Sequence, residues 1–479
     1  MKLSLNNKRV LVLGLGETGL SAVRWLADQG ALLTVADTRE NPPGLDLLKA
    51  ELPHVKVHTG AFKADVFNEA EMIVASPGVP LSTPEIQSVI ARGVPVVGDV
   101  ELFAQHISPA VKVIAITGAN GKTTVTSLVG EMCKVAGLNT VVAGNIGLPV
   151  LDIFRMDTPD VVVLELSSFQ LEITNSLKVD AATVLNVTED HMDRYASFAD
   201  YAAAKARIFN HAKVKVINRE DAYSLAMGSA MMADTISAKI SFGLNAPVNQ
   251  QDFGLLTQTG VTYLAQGSRA LLPLKEMKLK GLHNAANALA ALALCRAIGL
   301  YFAPLLNTLK TFKGLPHRVE WVANINDVDF YDDSKGTNVG ATCAAIAGMS
   351  KNSAIGENAV GENISQKVVL IAGGDGKGQD FSPLLSVVEG NARAVVLIGR
   401  DAPVIEQALM SSDIPRYLAV DLPEAVNIAY KVAQPGDTVL LSPACASFDM
   451  FKNYVHRAEV FIAAVMSLQS HTQKAGASR

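Results

Sequence analysis

VIAITGANGKTTV, Val113 to Val125, is the stretch on which the rest of the chain turns. An apolar run breaks into a glycine-bearing loop that contains Gly118 and Asn120 and ends in Gly121, Lys122, Thr123 and Thr124; an amphipathic segment at helical spacing, Ser127 to Ala136, follows. The order is strand, phosphate loop, helix. In such a turn backbone N–H groups and the helix N-terminus surround a polyphosphate, a lysine neutralises it, and the hydroxyl after the lysine ligates Mg²⁺. The full GxxxxGK[ST] pattern asks for glycine at 116, where this chain has Ile116, so the loop is a shortened variant. Alone, it favours a nucleotide site over a mere tight strand-to-helix turn, and other residues must decide.

Downstream, apolar segments keep ending in polar residues. Thr140–Ala143 stops at Gly144 and Asn145, Val161–Leu164 at Glu165, and Ala181–Leu185 at Asn186, ahead of Glu189, Asp190 and His191. Near-continuous apolar strands alternating with helices predict a parallel sheet covered on both faces, with ligands outside the carboxyl ends of its strands. These polar residues are therefore expected to converge beside Lys122. Glu165 in that position suits Mg²⁺, which takes few carboxylates and shares phosphate oxygens; in isolation it would be a half-exposed strand-end glutamate. His191 lies in a polar run that otherwise reads as a solvated loop. Lys205 lies in a helical segment, Phe198–Phe209, where alanines leave it uncrowded, and its plain reading is a surface lysine. Leu279–Leu294 reads as a helix opening with His283, Asn284 and Asn287, which either cap it or face a nucleotide.

Upstream, a β run, Lys8–Leu13, precedes Gly14, Gly16 and Gly19 in a GxGxxG pattern, and a second strand, Leu32–Ala36, ends in Asp37. That spacing suits a dinucleotide fold. The unit runs only to about Val100, too short for a second mononucleotide half, and Ser76, Pro77 and Gly78 close its third strand, Met72–Ala75, with a rigid turn. The pattern is read as receiving a nucleotide diphosphate at Gly14–Gly19, with Asp37, Thr38 and Arg39 flanking its sugar or base; a turn needed only for helix-on-sheet packing is the other reading. After Gly314, Leu315 and Pro316 a third alternating series begins: Val328–Tyr331 ends in Asp332 to Asn338, Val368–Ala372 in Gly373 to Gly378, and Thr438–Leu441 in Ser442 to Asp449. Lys351–Gln366, rich in Asn, Ser and Gly, is expected to be an exposed loop insertion, and the tail from Ser470 to be frayed. The fold class is α/β with three domains: a Rossmann-like N-terminal domain (1–100), a P-loop parallel-sheet central ATPase domain (101–314) and a Rossmann-like C-terminal domain (315–479).

Composition narrows the function. At 479 residues the chain exceeds one ordinary core, and 49 % hydrophobic with 18 % charged residues is a compact globular balance. A net charge of −5 argues against sequence-independent binding of nucleic acid. No run approaches the ~20 apolar residues of a membrane helix. The basic start and VLVLGLG are too short for a signal peptide and are followed by Glu17 and Arg24. Cys133, Cys295, Cys343 and Cys445 are scattered without a CxxC, as expected of reduced thiols in a cytoplasmic protein.

ITGANGKTT, GNIG, ELSSFQLE, LNVTEDHMDRY, the helix around Lys205, LPHRVE, DDSKGTN, GGDGKG and LSPACASFDMFKNY stand in the order seen in the Mur ligases. The resemblance covers essentially the whole chain, from Gly14 to Tyr454; single motifs are less specific, the phosphate loop being shared with folylpolyglutamate synthases. It implies an ATP-dependent amide ligase that adds D-glutamate to UDP-MurNAc-L-Ala through an acyl phosphate in peptidoglycan precursor synthesis, hence in cell-wall biogenesis and cell division. It also implies small-molecule partners only, a monomer, and two Mg²⁺ ions. On this resemblance Thr18, Asp37, Thr38, Arg39 and Gly78 hold the uridine diphosphate end, with Asn145 and His191 reaching the same substrate. Lys122 and Thr123 hold ATP and its Mg²⁺, with Glu165 on that ion, and a carbamylated Lys205 joins His191 on a second. Asn287, Arg318 and Asp333 contact ATP. Lys335, Thr337, Lys377, Ser447, Phe448 and Tyr454 form the D-glutamate pocket, although the family leads one to expect Leu and Phe at 448 and 454. Two other classes compete. A nicotinamide oxidoreductase would use GxGxxG but leaves the phosphate loop, Glu165 and GGDGK unexplained; a P-loop switch or motor would need a partner surface that cannot be read here.

Overall fold

The computed structural model describes residues 5–230, 237–279, 281–351 and 367–477. The strands, in chain order, are β1 Arg9–Leu13, β2 Leu32–Asp37, β3 Lys56–Thr59, β4 Met72–Ala75, β5 Val96–Val97, β6 Lys112–Thr117, β7 Thr140–Gly144, β8 Val161–Glu165, β9 Val179–Val184 and β10 Ala212–Asn218. There follow β11 Ala238–Phe242, β12 Phe253–Gln258, β13 Val261–Gln266, β14 Arg269–Pro273, β15 Glu320–Ile325, β16 Val328–Asp332, β17 Val368–Gly373, β18 Ala392–Ile398, β19 Arg416–Leu418 and β20 Thr438–Leu441. The chain forms two compact units, one of residues 1–187, 199–273 and 287–310, the other of 188–198, 274–286 and 311–479.

The first unit carries two sheets. One has five parallel strands in the order β3-β2-β1-β4-β5. Connections leave β1 in opposite directions across the sheet, so a crevice opens between the carboxyl ends of β1 and β4, where such folds take ligands. The other has nine strands, β14-β13-β12-β11-β10-β9-β6-β8-β7. β7, β8, β6, β9, β10 and β11 run parallel, and the interiors of the central β6 and β8 are apolar and buried because helices cover both faces. The expected wholly parallel sheet needs one correction: β12 to β14 form antiparallel hairpins closed at Thr259–Gly260 and at Gly267. Turns this short permit only antiparallel pairing.

β6 pairs with β8 on one side and β9 on the other, so the second switch point lies at the end of β6. Ile116 is still in the ladder, opposite Glu165 and Thr183, and is fully buried. A strand residue stands where the longer motif has its first glycine. The loop therefore opens at Gly118 (φ +153°), and Gly121 (φ +82°) caps helix Lys122–Val135, which starts earlier than the apolar periodicity alone suggests.

The second unit has six strands, β15-β16-β20-β17-β18-β19, parallel except that β15 pairs antiparallel with β16. Two apolar layers flank it, one around Ile346, Leu384, Val388 and Ile405, the other around Leu422, Val426, Phe461 and Val465. The tail corrects a second expectation. Helix Tyr454–Ala477 runs through Ser470, whose hydroxyl, like that of Thr472, donates back to the carbonyl four residues earlier. Phe461 and Val465 of the same helix are fully buried, so packing outweighs the weak propensity of its end. The expected loop insertion at 351–366 lies, beyond Lys351, outside the described residues.

Candidate functional site

At the first switch point a cavity of about 610 Å³ lies between the glycine loop and the ends of the neighbouring strands. Gly14, Gly16, Thr18, Asp37, Thr38, Arg39, Ser76, Gly78 and Asn145 all line it, together with Phe62, Gly144, Gly147 and Gln170. Gly19 does not, and its need is steric: a Cβ there would lie 1.8 Å from the Gly14 carbonyl oxygen. Asp37 is almost fully buried and is committed to the protein. It accepts from the Leu15 N–H at 2.7 Å and takes the Arg39 guanidinium on both oxygens, at 2.9 and 2.6 Å. Burial alone would raise its pKa; Arg39 and the N–H groups of Leu15 and Arg39 outweigh that and bring it to about 2. The carboxylate thus holds the glycine loop in shape and fixes Arg39, half exposed, at the rim.

The cavity wall continues into the second sheet through Asn145. Its N–H donates to the Glu165 carbonyl at 2.8 Å and its Nδ2 to Glu165 Oε1 at 2.8 Å. Glu165 is 1 % exposed, and its Oε2 is buried with no hydrogen-bond partner. A buried carboxylate oxygen without a donor is costly, and a hard cation such as Mg²⁺ is what would relieve it. Next to Glu165, the phosphate loop turns on its own carbonyls: Lys122 Nζ donates to Gly118 and Ala119 at 2.8 Å each. Thr123 and Thr124 occupy the first turn of the helix. Asn287 packs against Gly121, where a Cβ would meet its Oδ1 at 2.7 Å.

Lys205 is no surface lysine. It is 2 % exposed, its Nζ donates to the Gly118 carbonyl at 2.9 Å and lies 4.6 Å from the centre of the Tyr201 ring. As an ammonium it is a donor only and would repel a metal; a modified form bearing anionic oxygens would fit one. His191 adopts φ +59° in the segment 188–198, which belongs to the second unit, with its Nε2 3.6 Å from Asp190. Asp190 in turn stands 3.9 Å from Lys377 Nζ and accepts from Asn338 at 3.5 Å.

The second unit gathers the lysine-bearing loops at the ends of β16, β17 and β20. Lys335 Nζ lies over the Tyr454 ring at 4.1 Å, a cation–π contact. Thr337 donates its N–H to the Lys335 carbonyl at 2.8 Å, and Lys377 adopts φ +52° in GGDGKG. Ser447 is buried, whereas Phe448 is 74 % exposed. Asp333, expected at ATP, is buried and accepts from the Ser442 hydroxyl at 2.7 Å. Burial raises its pKa to about 7, against the pull of Ser442 and the nearby Arg318. Three residues escaped the sequence reading. Arg457 is completely buried and donates to the Ser334 hydroxyl and carbonyl and to the carbonyls of Cys445 and Ala446, tying DDSKGTN to SPACASFD. His317 (φ +62°) bonds Asp332 at 2.7 Å. Glu101 accepts from the N–H groups of Asn175 and Ser176 and from the Ser176 hydroxyl, joining the helix Asp99–His106 to the turn before β9. For Arg457 the motif KNYVHR held a signal in its position just beyond the last loop motif; for Glu101 there was none.

A glycine-loop cavity, a phosphate loop on an adjoining parallel sheet and a third α/β sheet carrying lysine loops define a three-domain nucleotide-dependent ligase fold. The chain belongs to the Mur ligase family. Three family descriptions match it: the Mur ligase MurD-like N-terminal domain over residues 8–98, the Mur ligase middle domain over 116–295, and the Mur ligase glutamate ligase domain over 317–445. It is 60 % identical to a UDP-N-acetylmuramoylalanine–D-glutamate ligase of Methylobacillus flagellatus over 98 % of both chains. It is 52 % identical to the protein of that name from Nitrosomonas europaea, again over 98 % of each. Among solved structures the fold resembles the UDP-N-acetylmuramate-alanine ligase MurC of Thermotoga maritima (TM-score 0.58, 20 % identity, 96 % of this chain and 99 % of that one). It also resembles the MurF ligase of Thermotoga maritima in complex with ADP (TM-score 0.57, 14 % identity, 98 % and 96 %).

Proposed function

We propose that this Mur ligase joins the amine of D-glutamate to the L-alanyl carboxylate of UDP-MurNAc-L-Ala at the expense of ATP, in the cytoplasmic stage of peptidoglycan synthesis. The observation that carries the reading is Asn145, which lines the cavity of the glycine loop and hydrogen-bonds Glu165 beside the phosphate loop. A nucleotide-sugar site and a phosphoryl-donor site thereby share one side chain. The domain roles follow: 1–100 binds the uridine diphosphate end, 101–314 binds ATP, and 315–479 binds the amino acid. The names of the close relatives support the same substrates.

The chemistry assigned to these residues is charge management. The substrate carboxylate attacks the γ-phosphorus, ADP leaves, and an acyl phosphate remains; the free amine of D-glutamate then attacks the carbonyl, and phosphate leaves. Lys122, turning from the carbonyls of Gly118 and Ala119 onto the phosphates, neutralises charge as it accumulates. Glu165 and Thr123 would hold Mg²⁺, which when bound neutralises phosphate oxygens. Arg39 and the glycine-loop N–H groups hold the diphosphate and its nucleoside; Lys335 and Lys377 offer cations for the two carboxylates of D-glutamate. Asn287, Arg318 and Asp333 are assigned to ATP and His191 to the nucleotide sugar. For Lys205 the reading is carbamylation, in which the neutral amine adds CO₂ and releases a proton. Activity of Lys205→Ala unchanged with or without bicarbonate would count against it.

The deciding experiment is a phosphate-release assay with ATP, UDP-MurNAc-L-Ala and a panel of D- and L-amino acids. Release requiring both the nucleotide sugar and D-glutamate is expected. ATP hydrolysis indifferent to both would sink the reading.

A further inference from the structure

We propose that Asn186 is a positioning residue that sets the phosphate loop, a role that rests on the nucleotide-binding half of the reading above. Asn186 follows the end of β9 and meets the loop with three groups. Its carbonyl accepts from the Ala119 N–H at 2.9 Å, its Oδ1 accepts from the Asn120 N–H at 2.8 Å, and its Nδ2 donates to the Asn120 carbonyl at 3.1 Å. The carboxamide therefore occupies both backbone groups of one loop residue and orients the peptide planes on either side of it.

The strand end that presents Asn186 is itself braced. The Leu185 N–H donates to the Thr117 carbonyl at 2.9 Å, Asn218 Nδ2 donates to the Leu185 carbonyl at 2.8 Å, and Asp221 accepts from the Val187 N–H at 3.0 Å. The fit is tight at Gly118, where a Cβ would lie 3.0 Å from Leu185 Cβ and 3.3 Å from the nitrogen and oxygen of Asn186. The Ala119 and Asn120 N–H groups are spent on Asn186, so the turn it holds leads directly into the N–H groups of the helix start at Gly121. Asn186 fixes the direction in which they point, and the Gly118 carbonyl, which holds both Lys122 and Lys205, belongs to the same braced turn.

The test uses the full-length protein with Asn186→Asp and Asn186→Ala. Aspartate keeps the size and the acceptor for the Asn120 N–H but sets a carboxylate oxygen against the Asn120 carbonyl; alanine removes both bonds. The readouts are the affinity for Mg·ADP by calorimetry, the KM for ATP and for UDP-MurNAc-L-Ala, and the melting temperature. Each variant is expected to bind Mg·ADP about 10-fold or more weakly and to show a matching rise in KM for ATP, with the KM for the nucleotide sugar unchanged. Mg·ADP affinity within about 2-fold of the parent would overturn the proposal. So would parallel losses for both ligands, or failure of both variants to fold, since each would mark a structural role. If the parent binds Mg·ADP but never couples ATP to amide formation, the ligase reading fails while the calorimetry still decides the role of Asn186.

Discussion

Asn145 donates from Nδ2 to Glu165 Oε1 at 2.8 Å and leaves the second oxygen of that carboxylate buried without a partner. The pairing orients the carboxylate and reserves one oxygen for a ligand outside the protein. Glu165→Gln keeps an acceptor for Asn145 but replaces the reserved anionic oxygen by an amide. Phosphate release is expected to fall by at least about 100-fold, with the Mg²⁺ titration displaced to higher concentration and the melting temperature held. An unchanged Mg²⁺ dependence would separate Glu165 from the ion.

Glu101 ties the first sheet's last helix to the second sheet, and its charge state sets how firmly. Burial works to raise its pKa; the N–H groups of Ser176 and Asn175, with Gln105 and the Ser176 hydroxyl, outweigh it and hold the carboxyl below its ordinary value. A carboxylate depressed in the folded state stabilises fully above its unfolded pKa of about 4.3, and that contribution is lost as pH falls through the lower folded value. Glu101→Gln should therefore cost about 1–3 kcal/mol near neutrality and progressively less in acid. Urea melts of both proteins between pH 3 and 7 check it; a difference independent of pH would contradict the assignment.

Most of the site was legible because parallel sheets place their chemistry at strand ends, and apolar runs broken by Gly14, Gly121, Glu165 or Asn145 can be seen in one dimension. The hairpins β12 to β14 were not, since their alternation is weak and their faces only partly buried. Local sequence alone leaves Lys205 a surface lysine and only the family resemblance draws it to the site, because nothing local shows that helix Phe198–Ala206 presents it to the Gly118 carbonyl. Asp37 lines the first cavity, but its bond to Leu15, 22 residues away, is set by the fold and by no local pattern. Contacts between side chains and distant backbone leave no pattern of residue types, and Arg457 and Asn186 are of that kind.

Asp333 gives the second unit a pH dependence of opposite sign. With burial raising its pKa to about 7, folding favours the protonated acid. Its stabilising contribution is present below the unfolded value of about 3.9 and is lost as pH rises through about 7. Between those limits the second unit should lose stability by up to about 1.4 kcal/mol per pH unit from this group. Asn at 333 still accepts from Ser442 and does not titrate, so Asp333→Asn should flatten the profile and be the more stable form at pH 8. Denaturation midpoints of the two proteins across pH 4 to 8 decide; parallel profiles would show that Asp333 titrates near its ordinary value.

Arg457 links two loops that carry lysines and hydroxyls assigned to the amino acid. Its guanidinium is completely buried, its pKa lowered by burial to about 10, and it remains charged at neutral pH while donating to Ser334, Cys445 and Ala446. Ser334 directly precedes Lys335, and Ala446 directly precedes Ser447, so the planar fork sets the spacing of the two loops. A lysine ammonium is a point donor and cannot span both. Arg457→Lys should raise the KM for D-glutamate about 10-fold with the KM for the nucleotide sugar unchanged, since the first unit is untouched. Arg457→Met leaves the Ser334 and Cys445 carbonyls, one in each loop, without a donor and should destabilise the second unit by about 3 kcal/mol. Equal D-glutamate KM values for the parent and Arg457→Lys would mean that the loops hold their spacing without the fork, and that Arg457 contributes packing alone.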